Sequence, residues 1–125
     1  MRSEPMTDSG QAKPHEEKRR WKRYMIDIAV KVKVSGADGL STYCYGRAND
    51  VGEGGMCLYL AHELKIGRVI DLTLTLPYSE RAIQCKVAVR NRESFKYGVE
   101  FKEMSPIDRE ILLETCRRLG VVQEI

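Results

Sequence analysis

The sequence predicts an all-β-dominated fold, a six-stranded antiparallel barrel with one C-terminal α-helix. Six short segments alternate apolar and polar side chains, turn-forming residues separate them at regular spacing, and a single amphipathic stretch follows the last of them. A two-sheet sandwich with a helical appendage is the alternative. At 125 residues the chain is long enough for one domain with a real core.

Taken in order, residues 1–17 combine Pro5, Ser9, Gly10 and Pro14 with few apolar side chains. They cannot bury enough surface to offset the entropy of ordering, so a flexible tail is expected ahead of a domain over 18–125. His15 lies in this tail with no neighbouring ligand type and reads as an exposed histidine. From Met25 to Val34 the period becomes two: Ile26, Ile28, Val30, Val32 and Val34 face one way, and Asp27, Ala29, Lys31 and Lys33 the other. Ser35 to Gly39 reads as a turn and Thr42 to Val51 as the returning strand.

A glycine-rich corner, Gly52-Glu53-Gly54-Gly55, precedes a third strand over Met56 to Leu60. Lys65-Ile66-Gly67 turns the chain into Val69 to Leu76, which Pro77 ends. Two further strands are expected, Ala82 to Arg90 and Phe95 to Phe101. Ser105 then suits a helix N-cap, Pro106 the first helical position, and Asp108 the positive end of the dipole. Ile107, Ile111, Leu112, Cys116 and Leu119 mark one apolar face. Arg117 and Arg118 are placed in the last turn, and Gly120 is expected to stop the helix.

Charge separates the start of the chain from its body. Residues 1–23 hold seven Lys or Arg against four Asp or Glu, while residues 24–125 hold fourteen of each sign. The whole positive excess lies before Tyr24, with Arg19-Arg20-Trp21-Lys22-Arg23 at its edge. Guanidinium groups pair bidentately with phosphate and stack on flat rings, so this cluster suits a compact ligand carrying both. A protein gripping long nucleic acid would show a basic body, and none is expected here. Single-stranded nucleic acid binding on Tyr43, Tyr45, Tyr59 and Tyr97 stays open as an alternative.

The glycine corner supplies the other half of a candidate site. Three glycines in four residues let a ligand approach the backbone closely, and exposed N–H groups there can hold an anion. Asp50, just before the corner, accepts hydrogen bonds only. It matches the N1–H and N2–H₂ edge of guanine, where adenine has no equivalent pair of donors.

These residues resemble the PilZ domain, a bacterial receptor module for cyclic di-GMP. The family's RxxxR falls on Arg19 and Arg23, with Arg20 giving the frequent double-arginine form. Its (D/N)xSxxG falls on Asp50, Gly52 and Gly55 within DVGEGGM, and Tyr97-Gly98-Val99-Glu100-Phe101 is similar to the family's late GxEF strand. The resemblance runs from about Lys18 to Leu119. It implies cyclic di-GMP as ligand, held by Arg19, Arg20, Arg23, Asp50, Gly52, Gly54 and Gly55, with no further cofactor. It also implies a downstream protein partner that reads a conformational change. One departure stands out: the motif serine is Gly52 here, so one hydroxyl partner is missing. A PilZ-like module without nucleotide binding is the second alternative.

No enzyme is expected. His62 is the only histidine beyond the tail, no nucleophile has a neighbouring base, and Glu53 reads as a solvated turn residue. Cys44, Cys57, Cys85 and Cys116 are scattered without a CxxC pair, so no metal site is expected. With reduced thiols, no apolar signal region and no bilayer-length apolar run, a cytoplasmic protein without membrane insertion is expected.

Overall fold

The computed structural model describes residues 22–123. The expected tail, Arg19, Arg20 and Trp21 lie outside the described residues. Six strands follow one another: β1 (Arg23–Ser35), β2 (Ser41–Gly52), β3 (Gly55–Leu60), β4 (Val69–Leu74), β5 (Ile83–Glu93) and β6 (Lys96–Met104). Among the described residues one helix, α1 (Pro106–Gln123), comes after them. The strands close into a barrel in the order β1-β2-β3-β6-β5-β4, and every neighbouring pair is antiparallel. Closure leaves no edge strand to template association.

The alternation read from the sequence becomes the barrel's inside and outside. Val30, Val32 and Val34 of β1 are buried, as are Ile70, Leu72 and Leu74 of β4 and Val87 and Val89 of β5. Ile26 and Ile28 are partly buried against the same core. The strand limits differ modestly from expectation: β4 stops at Leu74, β5 runs on to Glu93, and β6 begins at Lys96 and reaches Met104. Leu76 is still buried beyond the end of β4, which is why it reads as part of that strand.

Antiparallel order places the starts of β1, β3 and β5 and the ends of β2, β4 and β6 on one rim. Helix α1 lies across that rim, with Leu112, Cys116 and Leu119 joining the core. Ser105 is the N-cap, its Oγ accepting from Asp108 N at 3.1 Å. Asp108 does more than face the dipole. It is 5% exposed, pairs with Arg81 at 3.1 Å, and accepts from Gln84 N at 3.3 Å, tying the helix to β5 and the loop before it.

Two expectations about the helix are corrected. Ile107 is exposed, because the face that turns inward runs through Asp108, Leu112, Thr115, Cys116 and Leu119. Gly120 does not stop the helix, which continues to Gln123, so Arg117 and Arg118 lie before the last turn. A Cβ on Gly120 would sit 3.3 Å from the Tyr24 hydroxyl, so glycine here lets helix and β1 approach closely. Beyond it the Gln123 side chain clamps Met25: Oε1 accepts from Met25 N at 2.9 Å and Nε2 donates to Met25 O at 2.8 Å.

The opposite rim is closed from within. Tyr97 is fully buried; its hydroxyl donates to His62 O at 2.8 Å and accepts from Leu64 N at 3.0 Å. The loop after β3 is thereby drawn over the barrel mouth.

Candidate functional site

The helix-covered rim brings together the predicted residues that lie within the described chain. Arg23 opens β1 and stands opposite Gly52 at the end of β2, while Met25 stands opposite Asp50. The Arg23 Nη1 to Asp50 Oδ1 distance is 3.5 Å, and both side chains are about three-quarters buried, at 22% and 24% exposed. That separation permits charge attraction but not an aligned hydrogen bond. Consistently, Arg23 Nε and Asp50 Oδ1 are shut from solvent with no hydrogen-bond partner, and Asn49 Oδ1 shares that condition. Buried polar atoms are nearly always paired, so three orphans in one corner mark a place incomplete by itself.

The glycine corner is held from two sides. Arg109 Nη1 of α1 donates to Glu53 O at 2.8 Å, and Phe101 N of β6 donates to Gly54 O at 2.9 Å. The Glu53 side chain is left exposed. Gly55 has a packing reason of its own. A Cβ there would overlap the Val99 carbonyl oxygen, so only glycine lets β3 lie this close to β6. Gly52 is a buried strand residue, and the glycines with positive φ are Gly39 and Gly67, so the backbone at 52 does not exclude a serine. Arg19 and Arg20 lie outside the described residues.

Sequence reasoning missed three contributors. Arg109 and Gln123 act across the fold, and their partners are too distant in the chain for any local pattern to reveal. Asn49 did leave a signal. Ala48 and Val51 are both 0% exposed although three residues apart, which strict alternation forbids. The register slips between Ala48 and Asp50 against β3, and between Met25 and Ile28 against β1. A β-bulge at Asn49 accounts for the first; in the second the extra residue lies on β1, where Ile26 and Asp27 together oppose Asn49.

Other candidates separate from this corner. Tyr43, Tyr45 and Tyr59 are exposed, but Tyr97 is buried at the far rim and cannot serve as a stacking platform. A groove of about 660 Å³ runs across the barrel wall, lined by Lys31, Lys33, Asp71, Lys86 and Glu103 among others. It shares no residue with the Arg23–Asp50 corner, and its Lys86 Nζ is already bonded to Asp71 at 2.8 Å. All four cysteines are free thiols. Burial pushes Cys85 up to about 12 and Cys116 up to about 11, with Asp108 and Glu53 respectively adding to the effect. Among the described residues no group of three His, Cys, Asp or Glu could hold a metal, and no helix is long and apolar enough to cross a membrane.

Comparison with known proteins agrees with this architecture. The PilZ domain family model matches residues 17–118. Among solved structures, the Bacillus subtilis inhibitor of motility MotI/DgrA superposes with a TM-score of 0.70 at 20% identity, covering 86% of this chain and 53% of that one. This chain thus spans about half the length of that protein. The PilZ domain of Escherichia coli YcgR with c-di-GMP gives a TM-score of 0.61 at 15% identity, covering 84% of this chain and 93% of that one. The PilZ domain of CeSA from a cellulose-synthesizing bacterium gives 0.55 at 15% identity, covering 83% and 99%. No curated protein matches the sequence. With the family model spanning most of its length and the barrel closed in the same way, the chain belongs to the PilZ domain family.

Proposed function

We propose that this chain is a receptor for cyclic di-GMP, binding it at the rim where Arg23 and Asp50 meet. The observation that carries the reading is the pair of polar atoms without a hydrogen bond, Arg23 Nε on β1 and Asp50 Oδ1 on the neighbouring β2. One is a cationic donor suited to phosphate or to the guanine O6 and N7 edge; the other is an acceptor suited to guanine N1–H and N2–H. Family membership supports the same ligand, as does the nucleotide present with the YcgR PilZ domain.

In this reading Arg19, Arg20 and Arg23 engage the phosphates and stack on the bases. Asp50 reads a guanine edge, and Gly52, Gly54 and Gly55 keep the corner low enough for a base to approach the backbone. The cations gathered before Tyr24 are neutralised when the anion binds. The segment then folds against the rim and reshapes a surface for a downstream protein.

Calorimetry of the purified chain with cyclic di-GMP tests the reading. Saturable binding that is lost in Arg19→Ala and in Arg23→Ala is expected, together with a change in emission from Trp21, the single tryptophan. Absence of binding would leave a protein-interaction module without nucleotide. The exposed Tyr43, Tyr45 and Tyr59 favour a second test on the same sample. Binding of a single-stranded oligonucleotide that weakens steeply with salt would instead assign the barrel wall to nucleic acid.

A further inference from the structure

Asn49 and Asp50 stand side by side on the outer wall at a place where strand alternation would allow only one. Ala48 and Val51 both point into the core. The bulge between them therefore turns two consecutive polar side chains outward and re-aims both. Asn49 belongs to neither the RxxxR nor the DxxxxG pattern. Yet its Oδ1 shares the condition of Asp50 Oδ1: sealed from solvent, with no hydrogen-bond partner. An orphaned buried acceptor weakens the empty site and regains that loss when a donor arrives.

Guanine brings one donor more than a carboxylate can take. Its Watson–Crick edge carries three protons, one on N1 and two on N2. A carboxylate with two oxygens takes the N1 proton and the nearer N2 proton, leaving the other N2 proton free. Resting on the receptor reading above, we propose that Asn49 is a further specificity-determining residue whose Oδ1 accepts this remaining amino proton. Asn49 as a whole is only half-buried, so rotation of its carboxamide brings the oxygen to the ligand. Asp50 and Asn49 together then match all three donors. Hypoxanthine, which has N1–H but no amino group, satisfies Asp50 in part and Asn49 not at all.

The test compares cyclic di-GMP with its inosine counterpart, cyclic di-IMP, by calorimetry on the full chain. Three proteins are needed: wild type, Asn49→Leu, which keeps the shape but loses the acceptor, and Asn49→Ala, which serves if leucine prevents folding. Wild type should prefer the guanine ligand. Either variant should shrink that preference by about five- to tenfold, through weaker binding of cyclic di-GMP with cyclic di-IMP affinity unchanged. Equal weakening for both ligands would overturn the proposal and leave Asn49 as a residue that shapes the bulge. An unchanged preference would overturn it as well. Wild-type protein that binds neither ligand would refute the receptor reading itself and the proposal with it.

Discussion

The two rims of the barrel solve the same problem in opposite ways. At one, Tyr97 is fully enclosed and its hydroxyl has both a donor and an acceptor partner, Leu64 N and His62 O. At the other, Arg23, Asn49 and Asp50 keep three polar atoms enclosed and without a hydrogen bond. A satisfied buried group stabilises the fold, whereas an unsatisfied one opposes it. The contrast teaches that one rim satisfies its buried polar groups, while the other leaves three of them without a hydrogen bond.

Substitutions that exchange the behaviour of the rims sharpen this contrast. The largest effect belongs to Tyr97→Ala, expected to destabilise the fold by about 3–5 kcal/mol through the cavity it leaves. Tyr97→Phe should cost about 1–3 kcal/mol, because Leu64 N–H loses its acceptor and His62 O its donor. Urea titration measures both, and a Tyr97→Phe protein of unchanged stability would break the comparison at its firm side. At the other rim, Arg23→Ala should weaken cyclic di-GMP by about 2 kcal/mol or more, roughly 30-fold, with little change in Tm. Lost stability with intact affinity would mean that Arg23 is structural.

Within the glycine corner the same division should separate neighbours. Gly55→Ala is expected to destabilise by about 1–3 kcal/mol, since its Cβ overlaps the Val99 carbonyl oxygen. Gly52→Ser restores a hydroxyl on a strand backbone and should tighten the ligand by about 0.5–1.5 kcal/mol at nearly unchanged Tm. A strained, destabilised Gly52→Ser protein would remove position 52 from the binding motif.

The smallest effect comes from two buried thiols, Cys85 of β5 and Cys116 of the helix. Cys85 and Cys116 ionise at about 12 and about 11 in the folded chain, against an ordinary 9.0. Both values are raised, so their contribution to stability is complete below pH 9 and is lost as pH climbs toward 11 and 12. Denaturation midpoints should fall over that alkaline interval, and less so in Cys116→Ala. Thiol reagents near neutral pH should modify half-exposed Cys44 well before Cys85 or Cys116.

What was legible in the sequence follows from the range over which each signal acts. Period-two alternation is local, so Val30, Val32 and Val34 declare their face without reference to the rest of the chain. The glycine corner and Asp50 were equally visible, because backbone freedom and acceptor chemistry belong to the residues themselves. The helix end was misread because Gly120 serves a contact with Tyr24, which no helical pattern encodes. Ile107 was misassigned because the inward face centres on Asp108, whose burial depends on Arg81 and the Gln84 amide. Asn49 falls between these cases. Its bulge is written in the spacing of Ala48 and Val51, but only to a reader who already knows that both are inside.

The Gln123 clamp on Met25 closes a loop of 98 residues. Loop-closure entropy disfavours so distant a contact until the intervening strands have condensed, so it belongs to the late steps of folding. The end of β1, by contrast, meets the start of β2 across the short turn between Ser35 and Ser41, an early event by the same reasoning. The strand carrying Arg23 is thus zipped first along its far end and fastened last at its root, after the final helical turn has docked. A chain shortened before Gln123 would still close a barrel, but would leave the root of the arginine segment unfastened. Its kinetics of assembly, more than its final content of strand, would reveal the loss.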